Sequence, residues 1–93
     1  MELRPGAIVC IHVAREGLPI LLACRDDPVD ESDSGWQFLC GSSEHADDAS
    51  ILSLETVLRI EPGLLPFLDL PSGTVVARPS VGARWTVGKL PNA

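Results

Sequence analysis

The sequence predicts an α+β domain: an antiparallel sheet of four to five strands covered by one short helix and a helical turn. Two observations carry this expectation. Short apolar runs rich in β-branched residues fill the N-terminal part and return near the C-terminus, with one stretch of helical period between them. The connection between the first two runs is also too short for a crossover, so they are expected to pair antiparallel. The order of three strands, helix, then one or two strands argues against a doubly wound βαβ fold. The 93 residues suit a single domain spanning 1–93. A domain of this size buries ~60–65% of its unfolded surface. That builds one sheet with a helix on it, without a deep enclosed pocket as well, and favours a binding surface over a catalytic cleft.

Each element has a local reason. Pro5-Gly6 is a turn signal. Ala7–Ala14 (AIVCIHVA) is almost wholly apolar and reads as the first strand, with Ile8, Cys10 and His12 on one face and Val9, Ile11 and Val13 on the other. Arg15-Glu16-Gly17 reads as a hairpin turn in which Gly17 takes a positive φ. Ile20–Arg25 (ILLACR) is the returning strand. Both strands are apolar on both faces, so the sheet is expected to be central and covered. Asp26–Gly35 is an acidic loop whose only large apolar residue is Val29, and Trp36–Cys40 (WQFLC) is the third strand, ended by Gly41. Residues Ser42–Ser50 are polar and acidic again.

Ser53 is an N-cap candidate, because its hydroxyl can accept from the free N–H groups of a first turn. Glu55 lies in that turn, where the helix dipole favours an acid. Leu54, Val57, Leu58 and Glu61 follow helical spacing, and Pro62-Gly63 ends the helix. Leu64–Leu68 reads as a further helical turn. Thr74–Arg78 is the fourth strand, and Arg84–Val87 a possible edge strand.

Composition narrows the function. Apolar residues at 45% and charged residues at 22% describe a globular chain, since disorder needs fewer apolar residues. The net charge of −6, from 13 acids against 7 bases, repels nucleic acid and anionic lipid and attracts a basic protein surface; the same charge also serves solubility. No run approaches the ~20 apolar residues of a membrane span. The run after Arg4 is short and contains His12, so it reads as a strand and not a signal peptide. Cys10, Cys24 and Cys40 form an odd set at wide spacing, which suits reduced thiols in a cytoplasmic protein.

Catalytic and metal chemistry is mostly missing. Asp30-x-Ser32-x-Ser34-Gly35 opens like a calcium loop, but the acid needed at its twelfth position is Gly41. Cys10-x-His12, with Cys24 across the expected hairpin, brings three soft ligands together without the paired spacing of a zinc site, and core residues are the expectation. Cys40 with His45 and Asp48 suggests a nucleophile and base, yet acidic surroundings raise a thiol's pKa, so an inert cysteine is expected. Adjacent acids in loops are usually solvated rather than held in the unlike environments that acid–base catalysis needs. No cofactor and no metal are expected. The rival reading is a small hydrolase or metal-binding domain using these Cys, His and Asp residues.

What stands out is polarity. Asp26, Asp27, Asp30, Glu31, Asp33, Glu44, Asp47 and Asp48 are eight acids in a stretch without Lys or Arg, with Trp36 in their midst. They are the candidate partner-binding residues, because interfaces favour aromatic anchors ringed by charge and acids steer a basic partner. Two readings of Trp36 stand: an anchor, or a core residue at a strand start with only the loops in contact.

Arg25-Asp26-Asp27-Pro28, Asp33-Ser34-Gly35-Trp36-Gln37-Phe38, Gly41, Leu54-Glu55-Thr56-Val57, Pro62-Gly63-Leu64-Leu65-Pro66-Phe67-Leu68-Asp69 and Pro71-Ser72-Gly73 follow one another in an order and spacing that resembles immunity protein 33 of bacterial polymorphic-toxin systems. The likeness spans Arg25–Arg78. Two departures are Ser42-Ser43, where the family often has an acid pair, and Val76-Ala77-Arg78, which keeps only the Arg of an aromatic–acid–Arg ending. The resemblance implies protection of the producing cell by binding a toxin, or an uncharacterised domain; with the reduced thiols and the missing catalytic motifs, the expectation is a non-enzymatic, cytoplasmic immunity protein that occludes a cognate toxin. The resemblance supplies no catalytic residues.

Overall fold

Alternation along the strands puts Ala7, Val9, Ala23, Trp36, Phe38 and Val76 on one face of a six-stranded sheet, each at most 1% exposed. The computed structural model describes residues 2–41 and 49–90. Its elements are β1 (Gly6–Cys10), α1 (Ile11–Glu16), β2 (Leu22–Arg25), β3 (Asp33–Leu39), β4 (Ala49–Ser53), α2 (Leu54–Ile60), a 3₁₀ helix (Pro62–Phe67), β5 (Thr74–Ala77) and β6 (Thr86–Lys89). The spatial order is β4-β1-β3-β2-β5-β6. Val13 of α1, Leu54 and Val57 of α2, Leu64 of the 3₁₀ helix and Leu68 complete the core with that face. Burying side chains the size of Trp36 or Phe38 contributes roughly 1.5–3 kcal/mol each.

The α+β class stands, but the sheet is mixed and not antiparallel, and it has six strands. The pairing of β1 with β3 is parallel, while the other four pairings are antiparallel. The expected hairpin of the first two runs does not form. The first run stops being a strand at Cys10, whose extended backbone (φ −62°, ψ 151°) caps α1. Gly17 does take a positive φ, 72°, but as the cap that ends a helix. β2 then lies beyond β3, antiparallel to it. β4 occupies the end of the stretch expected to be loop; it pairs antiparallel with β1, with Ile8 opposite Ile51.

Among the described residues the sheet is covered on one face only. On the other, Leu22, Cys24, Leu39 and Val75 are half-buried, while Ile8 and Ile51 are exposed. The cover expected from the apolar runs is present on the face that carries Val9, Trp36 and Phe38. Leu22, Cys24, Leu39 and Val75 gain their partial burial from cross-strand neighbours, since Leu22 faces Leu39 and Cys24 faces Val75.

The helical cover is held by its ends. The Ser53 hydroxyl accepts from the Thr56 amide at 3.2 Å, and the carbonyls of Pro5 and Leu3 accept from the amides of Leu54 and Glu55. These bonds satisfy N–H groups that the first turn of α2 leaves unpaired. Beyond α2, two arginines pin the 3₁₀ segment to the sheet. Arg78 donates to Glu61 at its start (2.7 Å) and to the Ile20 carbonyl (3.0 Å). Arg25 donates to the carbonyls of Leu68 (3.2 Å) and Leu70 (2.7 Å) at its far end. β5 and β6 then close the sheet at the expected edge, with β6 starting at Thr86.

Candidate interaction surface

Gly35 shapes the acidic loop. β3 makes a bulge beside β1: Gly6 pairs with Asp33 while Ile8 pairs with Gln37. Gly35 stands in that bulge at φ 81°, and a Cβ there would collide with the carbonyl oxygen of Asp26. The Asp26 amide in turn donates to the Gly35 carbonyl at 2.8 Å. Only glycine allows this approach, and it fixes where the loop leaves β2 and rejoins β3.

The five described acids of the loop divide by their bonding. Asp33 accepts from the amides of Gly35 (2.9 Å) and Val29 (3.0 Å), so it braces the loop. Asp30 accepts from the hydroxyl and amide of Ser32, which holds its carboxyl below the usual range. Asp26 accepts from the Gln37 side chain at 2.9 Å. Asp27 and Glu31 are exposed, and neither carboxylate accepts a hydrogen bond among the described residues. Arg4, beside Glu31 in a shallow surface hollow, is tied to Glu2 at 2.8 Å. Glu44, Asp47 and Asp48, with His45, lie outside the described residues.

Trp36 is a core residue, 1% exposed. Its indole N–H donates to the Leu68 carbonyl at 3.2 Å, its ring stacks on Phe38, and the Arg25 guanidinium lies 5.7 Å from the ring centroid. It cannot anchor a partner from there. Eight large apolar residues are exposed among the described residues, and three of them lie together. Ile8, Val29 and Ile51 line an open groove on the uncovered side of the sheet, with Asp30, Ser32 and Asp33. Val29 is 85% and Ile51 72% exposed. Gly6, without a side chain, leaves room for Ile51 to lie across β1. Sequence reasoning noted Val29 but missed the groove, because only the β1–β4 pairing brings Ile8 to Ile51.

The thiols regroup as well. Cys10, His12 and Cys40 offer ligand atoms all within 4.8 Å of one another. Cys24, expected with Cys10 and His12, sits on the uncovered face, where burial first and Asp26 second push its thiol pKa up.

The residues behind the family resemblance turn out to be joints of the scaffold. Arg25, Ser34, Trp36, Leu68 and Leu70 interlock through the arginine and the indole. Ser72 and Gly73 close the same joint by donating to the carbonyls of Asp26 and Arg25. Among the described residues no helix is long and apolar enough to cross a membrane. No curated protein and no solved structure matches the chain. The model of the immunity protein Imm33 domain does match, over residues 7–87, from the second residue of β1 to the middle of β6. The chain belongs to the Imm33 immunity protein family.

Proposed function

We propose that this protein neutralises a cognate bacterial toxin by binding the toxin domain in the cytoplasm and occluding its working surface, without catalysis of its own. The observation that carries the reading is the groove of Ile8, Val29 and Ile51 walled by acids. An apolar floor with a charged rim is the anatomy of a protein interface. The partner that fits it offers an apolar knob set in basic surface. Asp27 and Glu31 draw such a partner in, while Asp26, Asp30 and Asp33 hold the loop in shape and add to the same field. Glu44, Asp47 and Asp48, in the chain just before β4, add three further negative charges. Trp36 contributes as scaffold. The same charge disfavours nucleic acid and anionic membranes.

Size supports the reading. An interface of standard area covers about 800 Å² of each partner, roughly one-seventh of the 5706 Å² this protein exposes. The test is affinity capture from the native host with the full chain as bait, followed by mass spectrometry. The expected result is one toxin domain at near-equal stoichiometry. Recovery of no toxin from cells shown to express the neighbouring toxin gene would contradict the reading.

A further inference from the structure

We propose that Cys10, His12 and Cys40 form a zinc site. They come from three places that the fold brings together: the end of β1, the first turn of α1, and the residue after β3. Two thiolates and an imidazole are the soft and borderline ligands that zinc selects over calcium or magnesium.

The Cys40–His12 pair already has the spacing of two ligands on one ion, and Cys10 lies within 4.8 Å of both, so a side-chain shift of about 1 Å would close the set. Bonds of about 2.3 Å to sulfur and about 2.0 Å to nitrogen place the sulfur and nitrogen ligands of a tetrahedral zinc roughly 3.5 Å apart. Cys40 Sγ lies 3.7 Å from His12 Nδ1. The other ring nitrogen, Nε2, faces Glu16 Oε2 at 3.7 Å, one helical turn on. At that distance the carboxylate is an electrostatic neighbour of the ring, and its charge favours a proton on Nε2.

Cys10 and Cys40 are buried, and the His12 side chain is 24% exposed. The ion ties β1, α1 and β3 at the point where the chain leaves the sheet. In so small a domain such a tie is a substantial part of the folding free energy.

The test is a titration of the reduced, metal-free full chain with cobalt(II), followed by displacement with zinc. One equivalent should produce the d–d bands of tetrahedral coordination and a thiolate-to-cobalt charge-transfer band, both lost on adding one equivalent of zinc. Cys10→Ser and Cys40→Ser should each remove the charge-transfer band or halve it, and His12→Gln should weaken binding. Cys24→Ser should change nothing. X-ray absorption of the zinc-loaded wild type needs no variant and should count two sulfurs. The proposal is overturned by a wild type with no tetrahedral spectrum, by a spectrum that depends on Cys24, or by a zinc shell without sulfur.

Discussion

Arg78 reaches across from the end of β5 to hold Glu61 at 2.7 Å, and its own side chain is only 6% exposed. The same guanidinium lies 4.3 Å from the Trp85 ring centroid. Glu61 meanwhile accepts from the Gly63 amide, so one carboxylate both caps the 3₁₀ helix and docks it on the sheet. Removing one partner of a buried pair costs about 3–5 kcal/mol, because the other charge is left stranded. Glu61 keeps some solvent contact, 22%, so Arg78→Ala should cost nearer the lower figure, about 3 kcal/mol in urea unfolding. Arg78→Lys keeps the charge but loses the fork, and should fall between. A loss under half a kilocalorie for Arg78→Ala would show that the pair does not hold the cover down.

Gly35 and Gly82 share a positive φ but not an environment. At Gly35 a methyl would meet backbone, while at Gly82 it would meet open space. Gly82→Ala should therefore cost only the left-handed penalty of about 1–2 kcal/mol. Gly35→Ala should cost well over that, and leave little folded protein by circular dichroism. Equal losses at the two positions would contradict the bulge.

Much of this fold could be read locally, and the failures have one cause. The Ser53 cap, the stop at Pro62-Gly63 and the facing of Trp36 and Phe38 depend on near neighbours in sequence, and all three hold. Ile11-His12-Val13 is β-branched enough to read as strand, yet it folds as helix because Val13 gains burial in the core. The parallel β1–β3 pairing is a tertiary choice that no local pattern encodes. The candidate site inherits these limits. Its acids and Val29 were visible in the loop, whereas Ile8 with Ile51, and Cys40 with Cys10 and His12, needed the true strand order.

Cys24 reports on the acidic margin. Its thiol pKa is raised by burial and, second, by the Asp26 carboxylate. Thiolate is the reactive form, so Cys24 should alkylate slowly at neutral pH, with a midpoint above that of an ordinary thiol. Asp26→Asn removes a negative charge that opposes ionisation. Its midpoint should move down, though not to the ordinary value, because burial remains. Peptide mass spectrometry across a pH series measures this at Cys24 alone. A midpoint that rises in Asp26→Asn would reverse the sign of the argument.

The groove and its rim should act on different rates. Asp27→Asn with Glu31→Gln removes two exposed charges, so association with the toxin should slow about three- to tenfold and lose part of its salt dependence. Ile51→Asp should instead speed dissociation at least tenfold, since it puts an unpaired charge on the apolar floor. Surface-binding kinetics at two salt concentrations separate the two effects. Unchanged rates in both variants would move the interface to another face.

The most direct measurement of the central claim is a stoichiometric titration of the captured toxin domain with the wild-type chain, reading toxin activity and complex formation in the same samples. The account predicts that activity falls in proportion to complex and reaches zero at one equivalent. Full toxin activity in the presence of excess chain, whether or not a complex forms, would contradict neutralisation by occlusion.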